Sequence, residues 1–482
     1  MLDATPSPSA ATRTASDRIQ FRRAITLTLM TLVMPGSAQL VAGDRRIGRI
    51  GVRIWLGCLA AIALLALLAL TSRSGLFGVL VDGRVMTPVR WLLMAGACFW
   101  VFLLLDAWRL GQPRRLARKH RLWMTGLNGA LCFVTAGALF FAAHLIGIQR
   151  GVIDTVFAAE TSSPPHEGRY NVLLMGTDSG PDRDGARPDS LNVASIDAET
   201  GRTVLIGLPR NLEDVPFPDD SFMKKPFPDT FDCEGCYLNA VNTWANDHQD
   251  ELGAGEDPGI RATMDAVEAI TGLELNYYAM INMQGFSQLI DAVGGVTVNV
   301  RERTAIDGIG APISGYIEVG EQKLNGKEAL WYARSRVLNS DFSRMGRQKC
   351  VMSAMLRELS PQKVLLNVED IADSSHTLLD TDIPGSDLDV FLDLALKAKA
   401  QTISSVSLTP PVIYTGNPDY DKVRTLITRA IDKAEGKKVK TDGIQAATLS
   451  LPKAATQGSA SADPAPKDPT KANQADDLDA TC

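Results

Sequence analysis

The sequence predicts an α/β sandwich preceded by an N-terminal bundle of about three transmembrane helices, and three observations carry that expectation. Long uncharged apolar runs are confined to the first third of the 482 residues, the charge divides at the same place, and beyond it short β-type runs alternate with helical periodicity. Residues 1–148 hold 17 Lys+Arg against 5 Asp+Glu, whereas the whole chain carries 49 against 55 for a net charge of −6. Two compartments follow, which argues against a plain cytosolic enzyme. The acidic balance also argues against a nucleic-acid partner, since a dedicated nucleic-acid binder shows a basic excess.

The membrane region is expected over 54–148, after a cytoplasmic or interfacial segment 1–53. Ile54 to Thr71 is uncharged and rich in Leu and Ala, meeting the minimum of about 18 residues for a helix that crosses the hydrocarbon. A second span is placed at 88–107, with Arg90 snorkelling to the interface and Trp91, Trp100 and Trp108 at headgroup level. The third, 122–148, carries no formal charge with His144 neutral. Arg109, Arg114, Arg115, Arg118, Lys119 and Arg121 crowd the loop between the second and third spans, so that loop is expected in the cytoplasm and everything after Gln149 outside, on the cell membrane's outer side. Residues 24–43 are also apolar, but Pro35-Gly36 interrupts them, and they read as an interfacial or re-entrant segment rather than a fourth span. The polar start argues against a cleavable signal peptide.

A linker at 149–167 leads to a folded unit at 168–435. In it Tyr170–Met175 and Thr203–Leu208 read as strands and Ile260–Ile270 as a helix. The stretch 277–300 reads strand, helix, strand, with Gly294-Gly295 as the second turn, and Arg347–Leu359 and Asp387–Lys399 read as amphipathic helices. The tail 436–482 is poor in large apolar side chains and reads as disordered. Among the cysteines outside the spans, Cys233-x-x-Cys236 could form half of a zinc site, but no second ligand pair stands at the right spacing, so a structural disulfide is expected. With Cys482 set aside in the tail, Cys233, Cys236 and Cys350 allow three pairings. A long-range bridge to Cys350 is favoured, because closing a longer loop restrains the unfolded chain more.

Candidate chemistry begins at Asp178, on the polar end of an apolar strand, and Asp189, which follows in Arg187-Pro-Asp-Ser. Two carboxylates flanking one loop can converge on a hard cation, and Mg²⁺ needs only one or two protein carboxylates. Taken alone they could equally be turn-forming residues. Arg210 ends the next strand, and Arg334, Arg336, Asp341, Arg344, Arg347 and Gln348 crowd one later stretch. Guanidinium groups suit phosphate because a planar fork donates two parallel hydrogen bonds and stays charged. A diphosphate ester would occupy that many donors, whereas the plain alternative is a solvated helix face.

These residues resemble the LytR-CpsA-Psr family of bacterial envelope proteins. The resemblance runs from about Arg169 to Leu359, through Asn-Val-Leu-Leu-Met-Gly-Thr-Asp at 171–178, Arg187-Pro-Asp-Ser-Leu, Ile206-Gly-Leu-Pro-Arg210, Leu238-Asn-Ala, Gly285-Phe, Val293-Gly-Gly-Val, the block 324–336 and Arg344-Met-Gly-Arg-Gln348. It implies a mixed central sheet between helices, with an apolar channel for a polyprenyl chain. The implied activity is Mg²⁺-dependent transfer of a glycopolymer from an undecaprenyl-pyrophosphate carrier to peptidoglycan or a surface protein. By the same resemblance Asp178 and Asp189 hold the metal, and Arg210, Arg334, Arg336, Arg344 and Gln348 hold pyrophosphate, with Arg187 and Arg347 as further contacts. Asp341 is a candidate general base. The sequence departs from the family pattern at Gly180, Asn211 and Glu213-Asp214. Three spans and the Cys-x-x-Cys look more like actinobacterial members. A polyprenyl pyrophosphatase or a non-catalytic envelope-sensing receptor are the competing readings.

Overall fold

The computed structural model describes residues 10–159, 161–178, 187–252, 257–358, 379–437 and 469–482. The chain divides into two compact units, Met1–Gly151 and Val152–Cys482. The first unit is helical, with α1 (Ala10–Val33), α2 (Ser37–Ala42), α3 (Arg45–Thr71), α4 (Arg73–Val81), α5 (Gly83–Leu110) and α6 (Arg118–Val156). Three of its segments are long and apolar enough to cross a membrane: Arg45–Thr71, Gly83–Arg115 and Arg118–Gly151. Each contains an expected span and runs past it, because backbone hydrogen bonding continues where the apolar run stops. Along α3 the side chains of Leu56, Leu59, Leu64 and Leu67 are exposed, as lipid-facing leucines would be. The apolar stretch 24–43 is broken between α1 and α2, where Gly36 adopts φ +95°. A Cβ there would lie 2.6 Å from the Gly48 carbonyl oxygen, so glycine allows both the turn and the approach of α3.

The second unit is built on β1 (Arg169–Thr177), β2 (Pro188–Asp197), β3 (Thr203–Leu208), β4 (Val215–Pro216), β5 (Thr230–Phe231), β6 (Tyr277–Asn282), β7 (Val296–Val300), β8 (Thr304–Asp307), β9 (Ile313–Ile317), β10 (Gly320–Leu324), β11 (Leu379–Thr381) and β12 (Ser404–Ser407). Six of these form the central sheet in the order β11-β6-β1-β2-β3-β12. The sheet is mixed: β1 pairs antiparallel with β2 and parallel with β6, and β3 pairs antiparallel with β2 and parallel with β12. The helices are α7 (Val241–Asp247), α8 (Gln249–Leu252), α9 (Pro258–Thr271), α10 (Met283–Ala292), α11 (Gly326–Arg334), α12 (Asp341–Glu358), and two further ones at Leu388–Lys399 and Tyr420–Ala434.

Strand alternation sends Leu173, Leu191, Val193, Val204 and Ile206 to one face. There they pack against Ile260, Ala266, Val267 and Ile270 of α9 and against Val423 and Ile427 of Tyr420–Ala434. Those α9 positions follow helical spacing, with Pro258 in the first turn and Gly272 at φ +71° closing the other end. On the α10–α11 side, Asn325 and Glu328 form a reciprocal capping box that starts α11. Gly326 there lets α11 approach the Ser287 carbonyl too closely for any Cβ.

The tail corrects two expectations. Residues 469–482 are folded: Ala472, Ala475 and Leu478 are buried, and Ser405 of the edge strand β12 exchanges backbone hydrogen bonds with Ala475 at 2.7 and 3.2 Å. Covering a sheet edge satisfies groups that would otherwise stand open. Cys482 is disulfide-bonded to Cys350 of α12, and Cys233 to its neighbour Cys236. A long-range bridge does end on Cys350, but its partner is the cysteine that the tail's average composition had set aside. The rest of the tail, 438–468, and Gly180 lie outside the described residues.

Candidate active site

The opposite face of the sheet is not filled. Val172, Leu174, Ala194, Ile196, Leu205 and Ala279 look into a cavity of about 1000 Å³. Its far wall comes from Met352, Met355 and Leu356 of α12, Phe391, Leu394 and Ala398 of Leu388–Lys399, and Phe286 and Leu289 of α10. At one end the lining turns polar. Asp178, Arg187, Asp189, Arg210, Arg334, Arg336, Arg344 and Gln348 all line the same cavity, so nearly every site residue read from the sequence is brought together.

The sheet sets this convergence. Thr177 pairs with Pro188 beyond an irregularity at Gly176, and the Asp178 amide donates to the Arg187 carbonyl at 3.4 Å, so the two carboxylates leave neighbouring strands at the same end. Each meets a guanidinium: Arg334 donates to Asp178 at 2.9 Å, and Arg210 to Asp189. Arg344, with 5% of its side chain exposed, donates to the Asp189 backbone carbonyl at 2.9 Å. Gln348 accepts from the Ser190 hydroxyl at 3.2 Å and donates to the Ala333 carbonyl at 3.2 Å. Helix α12 is thereby pinned to both β2 and the end of α11. Five guanidinium groups facing two carboxylates leave this end of the cavity cationic. Arg187 lies exposed at its edge.

Two residues expected at the site are placed elsewhere. Arg347 does not line the cavity. It is 1% exposed and donates to the Ser335 carbonyl and to Thr304 Oγ1 at 3.2 Å, beside Glu302 at 3.5 Å. Burial lowers its pKa from the ordinary arginine value, and its guanidinium sits 5.7 Å from the Tyr332 ring centroid. Its work is to brace the turn that carries Arg334 and Arg336. Asp341 also stands outside the lining; it pairs with Arg344 at 3.1 Å and Arg336 at 3.7 Å, and so helps to position two of the cations.

Polar lining residues not singled out in the sequence include Asn239, Thr243 and Asn192. Asn239 lies in the Leu238-Asn-Ala block, and its amide donates to the Arg210 carbonyl at 3.0 Å, tying this turn to an arginine of the site. Thr243 follows one helical turn later, and its buried hydroxyl has no partner among the described residues. The block was visible in the sequence; only the fold shows which way it faces.

The donor set fits a hard divalent cation in part. Asp178 and Asp189 offer oxygen ligands from adjacent strands, and among the described residues no cluster of three or more His, Cys, Asp or Glu could cage a metal alone. Such a site suits Mg²⁺, which fills its shell with water and substrate oxygens.

Comparison with known proteins decides the family. The LytR_cpsA_psr family profile matches residues 152–437. The chain belongs to the LytR_cpsA_psr family. TagU of Oceanobacillus iheyensis, named a polyisoprenyl-teichoic acid–peptidoglycan teichoic acid transferase, is 26% identical over 292 residues, covering 57% of this chain and 81% of its own length. Bacillus subtilis TagU, of the same name, is 29% identical over 253 residues, 51% of this chain and 72% of the relative. The cell wall biosynthesis protein LcpA of Corynebacterium glutamicum is 27% identical over 228 residues, 42% of each chain. The family match begins just past Arg118–Gly151, the last segment long and apolar enough to cross a membrane, so a helical region with three candidate spans precedes the family domain.

Proposed function

We propose that this protein is a membrane-anchored transferase that moves a glycopolymer from a polyprenyl-pyrophosphate carrier to a cell-wall acceptor, with its family domain outside the cell. The observation that carries this reading is one cavity with two chemistries: an apolar chamber for a hydrocarbon chain, closed at one end by five arginines and two aspartates. Arg210, Arg334, Arg336 and Arg344 would bind the pyrophosphate oxygens, each already oriented by a carboxylate or carbonyl. Asp178 and Asp189 would hold Mg²⁺, which supplies charge neutralisation for the diphosphate. An acceptor hydroxyl then attacks the sugar-bearing phosphorus and gives up its proton to solvent, the phosphoanhydride breaks, and polyprenyl phosphate departs with its chain still in the apolar chamber. The arginines stabilise the charge that grows on that leaving group without having to reorganise. The basic loop Arg109–Arg121 supports cytoplasmic placement of the second inter-span connection and hence export of the domain.

The test is transfer by the purified full chain from a lipid-linked oligosaccharide pyrophosphate to peptidoglycan. Arg334→Ala removes a phosphate contact and leaves Asp178 without that partner, so transfer falls by about 100-fold or more, while membrane insertion is kept. Chelation of divalent cations stops transfer, and added Mg²⁺ restores it. Full transfer by Arg334→Ala would overturn the assignment. Release of polyprenyl phosphate without any acceptor product would make the protein a pyrophosphatase.

A further inference from the structure

At the border of the cavity the second unit carries a feature that the transfer chemistry does not use. The connection between β8 and β9, residues 308–312, together with Ile313 at the start of β9, reads Gly-Ile-Gly-Ala-Pro-Ile, six residues without a polar side chain, and 309–313 are all exposed. Gly308, Gly310 and Pro312 are ordinary turn residues, but the positions between and beside them that face water hold Ile309, Ala311 and Ile313 rather than Asn, Asp or Ser. This one is joined to a second exposed apolar segment: a Cβ on Gly308 would lie 2.9 Å from Ile313 and 3.1 Å from Val337, so the tip packs on the α11–α12 connection. Ile309, Ile313, Val337 and Leu338, from 38% to 53% exposed, form one apolar patch. Immediately beside it in the chain is Arg336, the most exposed of the ion-paired arginines of the site at 41% of its side chain.

We propose that this patch is a lipid-bilayer contact, through which the β8–β9 tip dips into the headgroup–acyl boundary beside the cationic end of the cavity. It deepens the transferase reading, since it names the surface from which a lipid-linked substrate is taken. Three observations favour a bilayer over other occupants. The same chain holds three segments able to cross a membrane, and only the twelve residues between the end of α6 and the start of β1 intervene, a reach of about 40 Å when extended. Aliphatic side chains next to a guanidinium match the order met on entering an anionic leaflet, phosphate first and acyl chain below. Ile309 is both exposed and part of the cavity lining, so the patch is continuous with the chamber that would take the prenyl chain. A glycan is a poorer fit: the patch is aliphatic, and one face of the nearby Tyr316 ring is covered by Arg303 at 3.7 Å. Four aliphatic side chains also fall short of the roughly 800 Å² per partner that a stable dimer buries.

The experiment places a photoreactive benzophenone amino acid at Ile313, at Leu338 or at Tyr414 in the full chain, reconstituted in phosphatidylglycerol vesicles. Tyr414 is exposed and follows Ile413, which packs in the layer on the other sheet face. Lipid adducts, read by mass, are expected at 313 and 338 about tenfold above 414. Equal adducts at all three positions, none at 313 and 338, or adducts between two protein chains would overturn the proposal. A second arm uses the double variant Ile313→Asp with Leu338→Asp, neither residue being part of the cavity lining. Its transfer from a long-chain carrier embedded in the vesicles should fall about tenfold, with transfer from a water-soluble short-prenyl analogue unchanged. Equal losses on both substrates would assign the patch to the site itself and overturn the bilayer contact. Wild-type chain that transfers from neither substrate, yet forms lipid adducts at 313 and 338, would sink the transferase reading alone.

Discussion

The two faces of the central sheet are made of the same residue types and have opposite fates. Leu173, Val193, Val204 and Ile206 are sealed by α9 and the helix Tyr420–Ala434, whereas Leu174, Ala194 and Leu205, their immediate neighbours in sequence, look with Ile196 into a chamber. A solid face stabilises the fold through dense packing. A hollow face gives up those contacts, and a protein keeps such a void where a ligand fills it. The comparison separates positions that hold the domain together from positions that hold something else.

The largest effect that would break this distinction is a block of the chamber. Ala279→Trp places an indole among side chains that line open space, so the domain should stay folded with its thermal midpoint unchanged or raised. Transfer from a long-chain carrier should fall about 100-fold or more, since an occluded chamber cannot take the prenyl chain. Retained transfer, measured on the full chain in vesicles, would show that the chamber does not hold the substrate.

The paired truncations Leu173→Ala and Leu174→Ala sharpen the comparison. They sit one residue apart on β1 and point to opposite faces. The first opens a cavity in a sealed core and should cost about 3 kcal/mol of stability. The second enlarges a space that already exists, and should cost under about 1 kcal/mol while weakening carrier binding. Denaturant unfolding of the two variants checks this, and equal losses would mean that both faces are structural.

This division was only partly legible in the sequence. The strands could be read from alternation of apolar residues, and their order of types along the chain holds, but period two says only that two faces exist. Nothing local marks which face a helix covers, because a helix and a prenyl chain ask for the same apolar neighbours. The cationic end was more legible, since Arg and Asp are costly inside a fold and their clustering needs a reason. Even there helical spacing alone could not send Arg344 and the secondary candidate Arg347 to different places: they are three apart on one helix, close enough in angle to share a face, and the packing of the Ser335 turn draws the second one away from the cavity. Cys482 was missed for a different reason. Its neighbours are mostly small and polar, and the apolar Ala472, Ala475 and Leu478 gain meaning only against the edge of β12.

That tail touches the hollow face, for Ala472, Ala475 and Leu478 pack with Ala194, Leu205 and Ile403. Cys482→Ser should therefore loosen one wall of the chamber rather than the sealed core. Removing a bridge between residues 132 apart costs about 2–5 kcal/mol, and protection from hydrogen exchange should drop in β12 and the end of α12 before it drops in α9. Loss spread evenly over both faces would show that the tail supports the whole domain.

The smallest effect concerns the margin of the hollow face, where Ile383 lines the chamber and Asp382 precedes it. Burial pushes the Asp382 carboxyl up to about 6, although it accepts a hydrogen bond from the Tyr278 amide at 2.7 Å, and burial pushes Asp380 in the same direction. A raised carboxyl pKa means that the folded state keeps a proton the unfolded chain has already released. Stability therefore falls as pH rises from about 4 to about 6 and levels off above, with the slope set by the difference in bound protons. Asp382→Asn keeps an oxygen to accept from Tyr278 and removes the charge, so it should flatten most of that slope and raise the thermal midpoint at pH 7 relative to wild type. Identical pH profiles for the two proteins would show that Asp382 is hydrated in the folded state, and that the margin of the hollow face stands open to water.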